Sequence, residues 1–145
     1  MRQTSKATLF YGITFTEEEQ PGWFPWYKEG MEHDEWVAKK LGICEPKEPY
    51  VSRTNHVAYR EYWGKLKKIR KDITCVIVTH GSQYDPMYSI GVRESIKVVY
   101  GHDSMEIDFN SIHIKTSWIT QLKDFCEEAG VEYTDPKWWM VSCYH

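Results

Sequence analysis

Apolar positions along the chain fall into two rhythms. Residues 7–15, ATLFYGITF, are dense in aromatic and β-branched side chains and predict a first strand. The run 73–81, ITCVIVTHG, has no polar alternation, which predicts a central strand covered on both faces. MYSIGV (87–92) and ESIKVVYG (94–101) predict two further strands, or one long strand bent at Arg93-Glu94. HDSMEID (102–108) predicts a turn ending in a short extended piece, and WWMVSCY (138–144) a closing strand.

The other rhythm is helical. In EHDEWVAKKLG, Trp36, Val37 and Leu41 share a face, Asp34 is placed to cap, and Gly42 can stop the helix. From Asn55 to Asp72, the residues Tyr59, Tyr62, Trp63, Leu66 and Ile69 recur at spacings of three and four. TSWITQLKDFCEEAG predicts a helix capped by Thr116 or Ser117, with Trp118, Leu122, Phe125 and Ala129 inward and Gly130 at its end. Pro21 and Pro25 predict a loop through Trp23, Phe24, Trp26 and Tyr27, and Pro46 and Pro49 a connector. Strands and helices are interspersed, but the helices are too few for a doubly wound sheet. The expected fold is an α+β single-domain sandwich over 1–145. It has about four or five strands, mostly antiparallel, with two or three helices packed mainly on one face.

A chain of 145 residues buries roughly 70% of its unfolded surface and needs no metal or disulfide to fold. Its net charge of −3 argues against nucleic acid as the general partner and against a polybasic membrane anchor. No apolar run approaches the ~20 residues of a membrane helix, and MRQTSKATLFYGITF lacks the apolar core of a secretory signal. Cys44, Cys75, Cys126 and Cys143 form no C-x-x-C and are expected as reduced, mostly buried thiols of an intracellular chain.

Aromatics make up 15% of the residues, enough to fill a core and still leave rings for an interface. Charge is uneven as well. Residues 60–71 carry Arg60, Lys65, Lys67, Lys68, Arg70 and Lys71 against Glu61, whereas 15–35 carry seven acids against Lys28. A solvated face explains each, but the acidic segment with Trp23, Phe24 and Trp26 also suits docking on a basic protein. The basic helix suits phosphates, and Arg53, Asn55 and Arg60 could hold an anion at its N-terminus.

Several segments together resemble a family of small accessory proteins encoded by tailed bacteriophages. They are LFYGI (9–13), the Trp-bearing acidic helix, HGSQYDPMY (80–88), Gly101 with Glu106-Ile107-Asp108, FCEEAGVEY (125–133) and KWWMVSCY (137–144). In that family a short polar loop precedes a Tyr-Pro-Met-Tyr strand; here Asp85 interrupts the Tyr-Pro pair, and His80 stands where His or Cys is found. The shared motifs are structural, so no catalytic residue carries over. The resemblance implies an accessory protein acting in the host cytoplasm.

Candidate chemistry centres on the loop at 80–86. His80, Ser82, Gln83, Tyr84 and Asp85 end a central strand, a place where open sheets often bind ligands. The same residues also suit a hairpin turn in which Ser82 and Asp85 cap backbone groups and Pro86 sets φ. His80-Gly81-Ser82 and His102-Asp103-Ser104 form two H-x-S pairs, as in two-histidine phosphoesterases, where the histidines act as acid and base. That chemistry prefers apolar middle residues and wider separation than these pairs have. Ser82 has no G-x-S-x-G elbow. His33-Asp34-Glu35, His102-Asp103 and His145 lack metal-site spacing, and no glycine-rich phosphate loop is present, so neither a metal nor a cofactor is expected.

Trp138 and Trp139 point to opposite faces of a strand, which leaves one exposed on a sheet covered on one side only. The leading expectation is a binding protein that engages a host protein or a small-molecule ligand. Its surface would combine Trp23, Phe24, Trp26, the 80–86 loop, Trp138 and Trp139. A phosphoesterase using His80, Ser82, His102 and Ser104 is the alternative, and a virion or structural interaction protein the third. The sequence leaves oligomeric state open, a homodimer included.

Overall fold

A computed structural model describes residues 5–16, 18, 24–82 and 84–144. Trp23, Gln83 and His145 therefore lie outside the described residues, as does most of the acidic turn at 17–22. Among the described residues the fold is α+β, with a five-stranded, mostly antiparallel sheet and four α-helices. Its contacts divide it into two compact units, residues 1–22 with 74–145, and residues 23–73.

The first unit holds β1 (Ser5–Thr14), β2 (Cys75–Ser82), β3 (Asp85–Val92), β4 (Lys97–Tyr100), β5 (Lys137–Tyr144) and the helix Thr116–Ala129. Sheet order is β3-β2-β5-β1-β4, and β3 also pairs with β1. The strands β1, β5, β2 and β3 thus form a ring of pairings. One of these is parallel (β2 with β5) and three are antiparallel, so a circuit of the ring returns β1 with its direction reversed. A flat ring forbids that, and the ladder must coil strongly between the base and the tip of the β2–β3 hairpin. Two-stranded ribbons twist most readily in this way.

Of the two alternatives for residues 87–101, two separate strands describe the geometry. β3 and β4 lie along the same side of β1, both antiparallel, separated by a 3₁₀ turn at Arg93–Ser95. That turn breaks the ladder opposite Tyr11, and a side chain repairs it. The Tyr11 N–H donates to Ser95 Oγ at 2.9 Å, and Ser95 Oγ donates to the Val92 carbonyl at 2.6 Å. At the neighbouring crossing Gly12 pairs with both Lys137 and Gly91. A Cβ on Gly12 would run into the Ile90 carbonyl oxygen and come within 2.9 Å of Gly91 Cα, so only glycine fits.

The helix Thr116–Ala129 contacts β2 and β3 and covers the sheet face that carries Tyr11 and Trp138. Its N-cap is Lys115, not Thr116 or Ser117, and Gly130 ends it in the left-handed conformation as expected. Trp118, Leu122, Phe125, Cys126 and Ala129 are its buried residues, the period read from the sequence plus Cys126. Burial pushes the Cys75 thiol up to about 12 and the Cys126 thiol up to about 11, so both stay protonated and inert. Cys143 is buried as well and Cys44 is exposed, so the thiols are mostly buried, as expected.

The second unit is helical. Its elements are α1 (Pro25–Lys28), α2 (His33–Lys40) and α3 (His56–Asp72), with Thr116–Ala129 of the first unit counted as α4. Pro25 does not force a loop: it occupies the first turn of α1, where its missing N–H costs nothing. Glu32, not Asp34, is the N-cap of α2. Asp34 is instead buried, accepts the Glu35 N–H at 2.9 Å and pairs with Arg70 of α3. Ala38, Tyr62, Leu66 and Ile69 form the core between α2 and α3, with Val37, Ile43 and Ile73 against it. Leu41 is exposed at the C-cap, because the buried stripe of α2 runs through Trp36 and Ala38.

Candidate binding surfaces

The segment 80–85 is the tip of the β2–β3 hairpin, with Ser82 opposite Asp85. Ser82 Oγ accepts the Asp85 N–H at 3.1 Å, so a hydroxyl spans the turn. Gly81, opposite Pro86, has φ +80 and supplies the left-handed residue such a bend needs. Tyr84 stands out at 90% exposed. His80 is turned the other way. Its Nε2 lies 2.8 Å from Ser89 Oγ, and Ser89 is fully buried on the next strand. Burial lowers the His80 pKa and holds the ring neutral. Ser89 was invisible in the sequence, because its contact with His80 depends on the hairpin register.

The second H-x-S segment lies elsewhere. Gly81 pairs with Cys143, Cys143 with Lys6, and Lys6 with Tyr100. The two histidine segments are therefore three ladder steps apart, about 14 Å along the sheet. His102, Asp103 and Ser104 are exposed and, with Val98, Val99, Tyr100 and Met105, line an open depression of about 520 Å³. The structure does not bring His80 and Ser82 to this depression. Among the described residues no cluster of three His, Cys, Asp or Glu side chains could hold a metal ion. No described helix is long and apolar enough to cross a membrane.

The tryptophans chosen from the sequence are mostly enclosed. Phe24 stacks on Trp26 at 5.0 Å, and Trp26 packs on His33 and Trp36 at 4.4 and 5.3 Å. Both Phe24 and Trp26 are buried, which corrects their placement at a partner surface. Trp138 is half-buried against Tyr11 and Trp118, and Trp139 is half-buried with its indole N–H donated to the Gly12 carbonyl at 3.0 Å. Trp118 Nε1 donates to Glu94, which also accepts from Lys115; these two bonds hold the Glu94 carboxyl below its ordinary value.

An aromatic surface that the sequence did not single out lies at the start of α3. Tyr50, Tyr59 and Trp63 contact one another at 5.4 to 5.5 Å between centroids. Tyr59 is buried, but Trp63 is 50% and Tyr50 49% exposed, with Val51 exposed next to Tyr50 in the chain. The loop that carries Tyr50 is tied down. Tyr59 Oη donates to the Glu48 carbonyl at 2.6 Å. The Asn55 side chain donates to the Pro49 carbonyl at 2.8 Å and accepts the Val51 N–H at 2.7 Å. Asn55 is thus spent on the loop and caps no helical N–H.

Arg60 precedes Trp63 by three residues and Lys67 follows it by four, positions on the same helical face. Arg60, Lys67 and Lys71 are exposed and make no ion pair among the described residues, whereas Arg70 pairs with Asp34. Comparison with known proteins returns no match: no family model, no curated protein and no solved structure aligns with this chain.

Proposed function

We propose that the protein acts by binding a macromolecular partner in the host cytoplasm, as an accessory factor of the phage family it resembles, through the Tyr50–Tyr59–Trp63 face. The observation that carries this is a half-exposed Tyr and Trp held in place by a hydrogen-bonded loop. Rings that are already ordered lose little freedom on binding, and exposed Trp and Tyr are the residues that dominate interface energies. The phosphoesterase alternative has less support, because His80 faces the buried Ser89 and the depression at His102 and Ser104 is a separate place.

The test is a photoreactive residue at Val51, beside the cluster, with a second at Tyr84 on the hairpin tip as comparison. Both are expressed in host cells during infection. A discrete adduct at 51 that disappears on Trp63→Ala is expected. Adducts at 84 alone, or phosphodiester hydrolysis abolished by His102→Ala, would overturn it.

A further inference from the structure

We infer that the partner of this face is a single-stranded nucleic acid, its bases stacking on Trp63 and Tyr50 and its phosphates following Arg60, Lys67 and Lys71. The inference rests on the binding function proposed above and narrows it to one chemistry. Proteins that hold single strands combine a track of cations with aromatic platforms, since every base has a π-face and every link a charge. Both parts are present on one helix face here.

At about 100° per residue, Arg60 and Lys67 lie about 60° and 40° round α3 from Trp63, and Lys71 about 80°, all on the same side. The acids of α3 are placed away from the ring: Glu61 and Asp72 fall about 160° and 180° from Trp63. Of the unit's other acids, Glu48 lies in the loop tied to Tyr59, and Asp34 pairs with Arg70. On the buried side of α3 the Tyr62 phenol is raised by its burial first, and then by the charges of Glu35, Glu45 and Asp34. A phosphate track beginning at Trp63 thus runs along α3 towards Lys67 and Lys71.

An acidic peptide would answer the cations but has no use for two open rings side by side. An apolar peptide would answer the rings but not three exposed cations that make no ion pair among the described residues. The overall charge of −3 does not oppose the inference, because screening over a Debye length of about 8 Å leaves the local pattern in charge.

The experiment uses the full chain and a short oligothymidylate, with binding read by fluorescence anisotropy at rising salt. Affinity should fall about tenfold to twentyfold between 50 and 200 mM salt if roughly three phosphates are neutralised on a single strand. Trp63→Ala should weaken binding tenfold or more, while Trp63→Phe retains most of it. Arg60→Gln with Lys67→Gln should weaken binding and flatten the salt dependence, and both positions are exposed, so folding is not at risk.

No binding, or binding indifferent to Trp63→Ala and to the charge variant, overturns the inference. If the oligonucleotide does not bind and yet position 51 still cross-links a protein in a Trp63-dependent manner, the binding function stands and only its nucleic-acid partner is wrong. If both fail, the face is not a binding surface.

Discussion

Two sets of three rings in this protein are built alike and end differently. Tyr11, Trp118 and Trp138 meet at 5.6 to 6.2 Å, and Tyr50, Tyr59 and Trp63 at 5.4 to 5.5 Å. In the first set α4 brings Trp118 down onto the sheet, buries it and gives its N–H a partner in Glu94. In the second, Tyr59 is the buried base and the two outer rings are left half in water. Ring–ring contact alone therefore does not decide burial; the covering element does. Where a helix closes over the rings they contribute stability, and where a tied loop holds them open they are available to a partner.

The sharpest way to break this contrast is Trp118→Ala. Truncating a buried tryptophan should cost about 3–5 kcal/mol, read as a lower urea midpoint. A loss under about 1 kcal/mol would mean that α4 does not close the first set. Tyr59→Phe comes next. It removes the hydroxyl bonded to the Glu48 carbonyl and should cost about 0.5–1.5 kcal/mol, while loosening Tyr50. Unchanged oligothymidylate affinity in that variant would show that the loop need not be held for the rings to work.

A smaller effect tests the covered side of the first unit. His80 carries a pKa lowered from 6.5 by burial, so above pH 6.5 it is neutral in the folded and unfolded chains alike. Below that value the unfolded chain takes up a proton the folded chain resists. Stability should then fall from pH 6.5 down to the lowered value and level off beneath it. Denaturation midpoints for wild type and His80→Gln, compared from roughly pH 8 to pH 5, isolate this contribution. Identical slopes would place His80 in water. The smallest change in stability is expected for Trp63→Ala, within about 0.5 kcal/mol, as befits an open ring. A large loss there would turn the second set into core and remove the surface.

Much of the scaffold was readable from pattern. The five strand segments, the stop at Gly130 and the stripe Tyr59, Tyr62, Leu66 and Ile69 follow from period and from left-handed glycine. Trp63 was misplaced within that stripe. At helical spacing it borders Tyr59, and only the position of α2 against α3 shows which edge of the stripe is left uncovered. Phe24 and Trp26 erred in the opposite direction. Pro25 looked like a loop former, yet as a first-turn residue it starts a short helix that folds both rings inward. Asp34 suited a cap by type, but pairing with Arg70 draws it into the helix interface. Each of these errors concerns a residue whose local preference was sound and whose partner lies far along the chain.

Local chemistry is written in the sequence because it depends on neighbours a few residues away: which segments extend, which coil, where Gly130 must stop a helix. The crossing at Gly12 and Gly91, the Ser95 hydroxyl that completes the ladder, and the union of His80 with Ser89 depend on strand register. Register is settled only when segments far apart in the chain come together. So too is exposure: no residue type says which of two aromatic clusters a helix will cover, and in this protein that choice separates core from candidate surface.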